Sequence, residues 1–356
     1  MSSHVGAAAA TVCHSSPHPA GGQQSNEDGV MQPFTRHSAV GFVGLGVMGS
    51  AMAGWLLRKQ WDLHVHSRRD EPARPLVQAG AHRAATPAAL GRACKLVLLC
   101  VSDDAAVEQV LFGAHGLAQG LPRGSVVVDM STIAATSARR FAGELRARGL
   151  TFLDAPVSGG QLGAEAGTLA CMVGGPEAAV EAVRGVLGAF CRSVTRVGDV
   201  GAGQTVKACN QVAAAGALLG VADAVALARS QGVDPQVMRQ ILLDGTARSF
   251  VLEKDGPRII EGRFDPGFRA RLMRKDLRIA LETARDGAQL RATPVAERLL
   301  DELCGMGGAE LDWSAIGRFA QHPPANPNLL AQAVGVRGCV TGAAGPQSSQ
   351  SRSDPE

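Results

Sequence analysis

Lys207 is the side chain in this sequence best suited to move a proton, and elimination singles it out. The chain contains no tyrosine, so the Tyr/Lys pair of the short-chain dehydrogenases is impossible. Its histidines lie at 4, 14, 18, 37, 64, 66, 82, 115 and 322, none between 151 and 321, which excludes a His/Asp relay from the second half. Only five lysines exist: Lys59, Lys95, Lys207, Lys254 and Lys275. Lys207 sits in Gly201-Ala-Gly-Gln-Thr-Val-Lys207-Ala-Cys-Asn210-Gln211, early in a long helical pattern. Asn210 and Gln211, three and four residues on, share its helix face. A cation beside two amides can polarise a carbonyl and lend a proton, and a lysine with an ordinary pKa of about 10.4 is protonated at neutrality. The bland alternative is a surface lysine. It fits poorly in a chain this poor in lysine, on an apolar helix.

A second chemical feature is Gly44-Leu45-Gly46-Val47-Met48-Gly49, a GxGxxG element between a buried strand and a helix. Gly44 permits a tight turn, Gly46 lets the backbone approach a pyrophosphate, and Gly49 lets helix and strand pack closely. The helix N-terminus adds free N–H groups and a positive dipole end. The strand, the helix and the next strand all stand where this motif requires them. At the end of that next strand, where an NAD-preferring domain places an acid, the chain has Ser67-Arg68-Arg69. A guanidinium there pairs with the 2′-phosphate of NADP. Two solvated arginines are the plain alternative, and Asp70 and Glu71 keep NAD(H) open. Two turns complete the inventory. Asp154-Ala-Pro-Val-Ser158-Gly159-Gly160 ends a strand with a hydroxyl and two glycines whose N–H groups can hold a carboxylate, or is an ordinary turn. Ser131-Thr132 follows another strand as a helix cap or a nicotinamide contact.

These residues need a frame to position them. Buried strands are expected over 39–43, 63–66, 96–101, 125–130, 152–153, 168–173 and 194–197, with helices between most of them. Thr86-Pro87 reads as a helix cap followed by a first-turn proline. Apolar strands alternating with helices predict an α/β Rossmann domain with a mostly parallel sheet, over residues 38–199. One helical pattern then runs from 204 to about 231, spanning about 40 Å. Further helical patterns over 235–243, 271–286, 294–304 and 313–319 make residues 200–320 an all-α domain built on that long helix. The leader 1–37 and the tail 321–356 read as disordered.

The bulk numbers agree with a globular chain of about two domains. Hydrophobic residues make up 46%, charged residues 19%, and the net charge is +3 over 356 residues. No basic block is present, so neither nucleic-acid nor membrane partners are expected. The apolar stretch 212–228 contains Asp223 and reads as a buried helix rather than a membrane span. The eight cysteines lack CxxC pairing, and neighbouring histidines lack zinc spacing, so no metal is expected and a reducing, cytoplasmic setting is. Residues 1–37 lack secretory character and leave organelle import open.

Taken together, the motifs resemble the β-hydroxyacid dehydrogenase family. The matching segments run in family order across about 38–320: GFVGLGVMG (41–49), DMSTI (129–133), DAPVSGG (154–160), GAGQTVKACNQ (201–211) and Lys275-Asp276-Leu277. The resemblance implies an active site in the cleft between the domains. Lys207 would be catalytic, and Ser131, Ser158, Gly159, Gly160 and Asn210 would meet a small carboxylate-bearing substrate. The GxGxxG loop, Ser67, Arg68, Arg69, Val101, Ser102, Thr132 and Lys275 would meet the cofactor. Asn210-Gln211 replaces the common Asn-Asn and resembles the reductase branch, while Ser67 stands where Asn is frequent. The family also implies homodimers or homotetramers. The expectation is an NADP(H)-linked reductase of a small aldehyde acid. The rivals are an NAD-linked 3-hydroxyisobutyrate dehydrogenase, a non-catalytic scaffold and an imine reductase.

Overall fold

The computed structural model describes residues 31–285 and 287–321. Residues 1–30 of the leader, 322–356 of the tail and Asp286 lie outside them. The first domain is organised by strands whose two faces are both apolar. In β4 (Leu96–Leu99) and β5 (Val126–Asp129) every residue is buried. Period-two alternation sends Leu96, Leu98, Val126 and Val128 into one core cluster and Val97, Leu99 and Val127 into another. Each such side chain contributes about 1.5–3 kcal/mol by leaving water, so this sheet is held from both sides.

Strands β1 (Ala39–Val43), β2 (Asp62–His66), β3 (His82–Arg83), β4, β5 and β6 (Thr151–Asp154) are parallel, and β7 (Val157–Ser158), β8 (Leu169–Gly174) and β9 (Cys191–Gly198) complete the sheet. The order is β3-β2-β1-β4-β5-β6-β8-β7, with β9 paired to β8. The sheet is mostly parallel, as expected, but β8 runs antiparallel to β6 and β7. Helices α1 (Val47–Arg58), α2 (Arg74–Gln78), α3 (Pro87–Ala93), α4 (Asp104–Phe112), α5 (Ala135–Arg146), α6 (Gly160–Ala166) and α7 (Glu177–Leu187) cover it. Local chemistry starts two of them: Thr86 accepts from the Ala89 N–H and Asp103 from the Ala106 N–H.

Helix α8 (Ala202–Ser230) opens the second domain. Its Ala215, Leu218, Val221, Ala222 and Val225 bury against Met273 and Leu277 of α12 (Ala270–Ala284) and Leu300 and Leu303 of α13 (Thr293–Leu303). Three short helices, α9 (Pro235–Asp244), α10 (Phe250–Lys254) and α11 (Gly256–Glu261), and a last one, α14 (Gly317–Gln321), surround this spine. By length and composition alone α8 could cross a membrane; here it buries Gln204, Lys207 and Gln211 on the same face as its apolar residues.

Two expectations change. The segment 31–37, read with the disordered leader, packs on the domain: Met31 and Phe34 lie against the core and the Phe34 N–H donates to Ala182 O. Their apolar side chains explain it. The last helical pattern, 313–319, divides into a 3₁₀ turn at Trp313–Ile316 and α14, because Asp312 caps the former through the Ser314 N–H.

The sheet also carries a buried acid. Asp129, fully buried at the end of β5, has one carboxylate oxygen without a partner, and burial pushes its carboxyl up to about 7. A carboxyl with a higher pKa folded than unfolded (about 3.9) binds more protons in the native state. It therefore supports folding fully below about pH 4, and that support is lost as pH rises towards 7. Urea unfolding should show stability declining across this window, with Asp129→Asn flattening the decline by on the order of 2 kcal/mol. An unchanged slope in the variant would contradict the assignment.

Candidate active site

The site grows from the N-terminus of α8, whose four leading N–H groups have no intrahelical partner. Asp154, at the end of β6 and 0% exposed, accepts from the Gly201 and Gln204 N–H groups, both at 2.8 Å. Gly203 permits the approach: a Cβ there would stand 2.6 Å from Met172 O and 2.7 Å from Asp154 O. Gln204, 2% exposed, adds a second tie, its amide donating to Ser131 O at 2.8 Å and accepting from the Ile133 N–H at 3.1 Å. The helix start is thus fastened to β5 and β6.

One turn further on, this fastening delivers Lys207 to the carboxyl ends of the strands. Its Nζ donates to Val157 O at 2.9 Å and the residue is 8% exposed. Burial lowers its pKa from the ordinary value, opposed by the charge of Asp276 and assisted by Lys275. Beside it, the Ser158 hydroxyl donates to Asn210 Oδ1 at 3.2 Å, and Asn210 donates to Gln211 Oε1 at 2.8 Å. Gln211 in turn donates to Asp276 Oδ2 at 2.7 Å. Lys207, Ser158 and Asn210 therefore converge, and the turn at Gly159 (φ +133°) and Gly160 (φ +62°) adjoins them. Both glycines hold conformations that disfavour side chains.

The dinucleotide loop lies across the sheet from this cluster. Gly44 has φ +95°, and a Cβ on it would meet Cys100 O at 2.1 Å. A Cβ on Gly49 would lie 1.9 Å from Gly44 O, while in front of Gly46 there is open space. No side chain caps α1, so its first N–H groups remain free for an anion. This cradle fits a dinucleotide pyrophosphate. Val47 is exposed and Met48 half-buried, whereas the Leu45 side chain is 5% exposed and belongs to the core. Leu45 can thus serve a cofactor only through its backbone. Ser67 is buried with its hydroxyl donating to Arg69 O, which shapes the turn and leaves Arg68 and Arg69 exposed. Asp70 pairs with Arg83.

Ser131, expected at the substrate, is buried and hydrogen-bonded. It is 2% exposed, its hydroxyl accepts from the Val101 N–H at 2.9 Å, its N–H donates to Asp129 and its carbonyl is taken by Gln204. Its hydroxyl thereby holds the Val101 N–H in place. Ser102 is exposed and bonds Asp103. Lys275 donates to Thr132 O and pairs with Asp276 at 3.0 Å, linking α12 to the turn after β5. A cavity of about 380 Å³ opens there between Asp103, Asp104, Lys275 and arginines of α12, and Lys207 is not among its lining residues.

The sequence reading missed three contributors. Gln204 and Asp276 act through hydrogen bonds that only the fold brings together. Lys254 of α10 lies with its Nζ 3.6 Å from where a Cβ of Gly160 would stand, a second cation at the mouth of the site.

Comparisons with known proteins agree with this architecture. The family described as the NAD binding domain of 6-phosphogluconate dehydrogenase matches residues 39–198. That described as NAD-binding of NADP-dependent 3-hydroxyisobutyrate dehydrogenase matches 201–320. A 2-hydroxy-3-oxopropionate reductase of Escherichia coli K12 is 39% identical over 278 residues, 78% of this chain and 95% of that protein. An NAD-dependent L-serine dehydrogenase of Pseudomonas aeruginosa is 36% identical over 290 residues, 79% and 97% of the two chains. The crystal structure of 3-hydroxyisobutyrate dehydrogenase from Salmonella typhimurium superposes with a TM-score of 0.72 at 31% identity, covering 79% of this chain and 99% of that one. With both domains matched in order and the relatives covered almost end to end, the chain belongs to the β-hydroxyacid dehydrogenase family, NAD(P)-linked oxidoreductases.

Proposed function

We propose that this protein is an NADPH-linked reductase of a small aldehyde acid, of the glyoxylate, succinic semialdehyde or tartronate semialdehyde type, with Lys207 as its acid/base. The observation that carries the reading is the buried Lys207 amine, held by Val157 O beside Ser158 and Asn210. A bound nicotinamide dinucleotide supplies the hydride. Lys207 hands a proton from Nζ to the carbonyl oxygen as that oxygen becomes a hydroxyl, and takes it back in the oxidative direction. Val157 O orients the amine, and burial makes it release its proton more readily than a solvated lysine. Ser158, Asn210 and the Gly159–Gly160 turn position the substrate, and Lys254 meets its carboxylate.

Support for NADP over NAD comes from the turn after β2. Arg68 and Arg69 are exposed where a 2′-phosphate needs cations, while Asp70, the nearest acid for a ribose hydroxyl, is engaged by Arg83.

Three outcomes test this. Lys207→Ala should lower kcat by about 10²–10⁴-fold in both directions with cofactor binding retained, and the unsubstituted protein should show an alkaline limb of the reductive pH–rate profile below the ordinary lysine value of 10.5 that the variant lacks; full turnover in the variant would end the mechanism. Arg68→Ala should raise the KM for NADPH roughly 10-fold and leave that for NADH unchanged. An unaltered cofactor ratio would refute the phosphate clamp. Lys254→Ala should raise the KM of semialdehyde acids roughly 10-fold while sparing the corresponding uncharged aldehydes, and equal effects on both would remove its role.

A further inference from the structure

A second constellation lies at the other end of β2 from the cofactor turn. Asp62 and His64 are two residues apart on one strand and so share a face of the sheet. The parallel register sets His82 of β3 directly beside His64. Asp62 Oδ1 stands 3.4 Å from His64 Nε2 and 3.7 Å from His82 Nε2, and all three donor atoms lie within 4.8 Å of one another. Among the described residues no other three side chains of these types converge so closely. The imidazole centroids are 4.7 Å apart and tilted by 36°.

The direct contacts are long, and the separations leave room for a shared ion. A nitrogen–oxygen hydrogen bond closes to about 2.7–3.2 Å, shorter than either contact. Two ligands each about 2.0–2.1 Å from a tetrahedral zinc lie about 3.3 Å apart. Side-chain exposures of 21%, 41% and 66% for His64, Asp62 and His82 leave the open side to water.

The geometry points to a binding site for a divalent transition cation of the zinc class, held by Asp62, His64 and His82 with water as the fourth ligand. Two imidazoles and a carboxylate are the donors such ions take, whereas magnesium and calcium prefer an all-oxygen shell. The ion would clip the two-residue edge strand β3 to β2. Next to His82, Arg83 pairs with Asp70 of the turn that carries Arg68. The sequence hides this site because its ligands are contributed by two strands, with Asp62 and His64 twenty and eighteen residues before His82.

The test uses tag-free full-length protein stripped with EDTA. Zinc chloride should be taken up at one equivalent and raise Tm by about 5 °C at saturation. His82→Ala and Asp62→Asn, both at exposed positions, should each lose that equivalent and the shift. Cobalt substitution should give ligand-field bands without a sulfur-to-metal charge-transfer band. Zinc uptake that survives in both variants, a thiolate band showing capture by cysteine, or no uptake at micromolar zinc would each overturn the site.

Discussion

Everything at the candidate active site depends on one buried carboxylate meeting one helix end. Asp154 closes β6 and accepts two N–H groups at the start of α8, where a negative charge also opposes the positive end of the helix dipole. Burial pushes its carboxyl up to about 6, and the backbone hydrogen bonds, those from Gly201 and Gln204 foremost, pull against that rise. The bond spans the two domains, so the placement of Lys207 follows from the sheet rather than from the packing of the helical domain. Gln204 repeats the connection one turn along with an uncharged group. The two together set both the height and the rotation of the first turns of α8.

Beyond this anchor, the polar residues form a chain from Ser158 through Asn210 and Gln211 to Asp276 and Lys275. Each member uses its neighbour to avoid being left unpaired in a region of low dielectric. Gln211 matters here because its longer side chain reaches the α12 carboxylate, which an asparagine would reach less easily. Asp276 lies 3% exposed, and its charge partly offsets the burial of the Lys207 amine. The same carboxylate therefore contributes to tying α8 to α12 and to setting the proton affinity of the amine.

Much of this was legible in the sequence, for identifiable reasons. Lys207 could be singled out because composition removed its competitors, and the GxGxxG loop because each glycine answers a distinct steric demand. The parallel strands showed as short apolar runs, since both their faces are buried. What escaped depended on contacts between distant residues. The reversal of β8, the burial of Ser131 and Leu45, and the approach of Lys254 to Gly160 are set by tertiary packing. Short helices such as α10 and α11 carry too few residues for a periodic signal. Met31 and Phe34 were read with their polar neighbours, whose composition masked two apolar side chains that find a surface to cover.

The glycine at 203 sets a further limit on how this chain can vary. Because the helix passes within contact distance of two strand carbonyls there, the first turns of α8 have neither lateral room nor freedom to rotate. A helix turns by about 100° per residue. One residue inserted or removed between Gln204 and Lys207 would turn the amine and the apolar face beyond Ala215 together by about 100° against the anchored first turn, so the anchor and the spine could not both keep their partners. A change of length is therefore accommodated at the distal end of the helix and in the loops after it, where neither the Asp154 anchor nor the Lys207 amine is displaced.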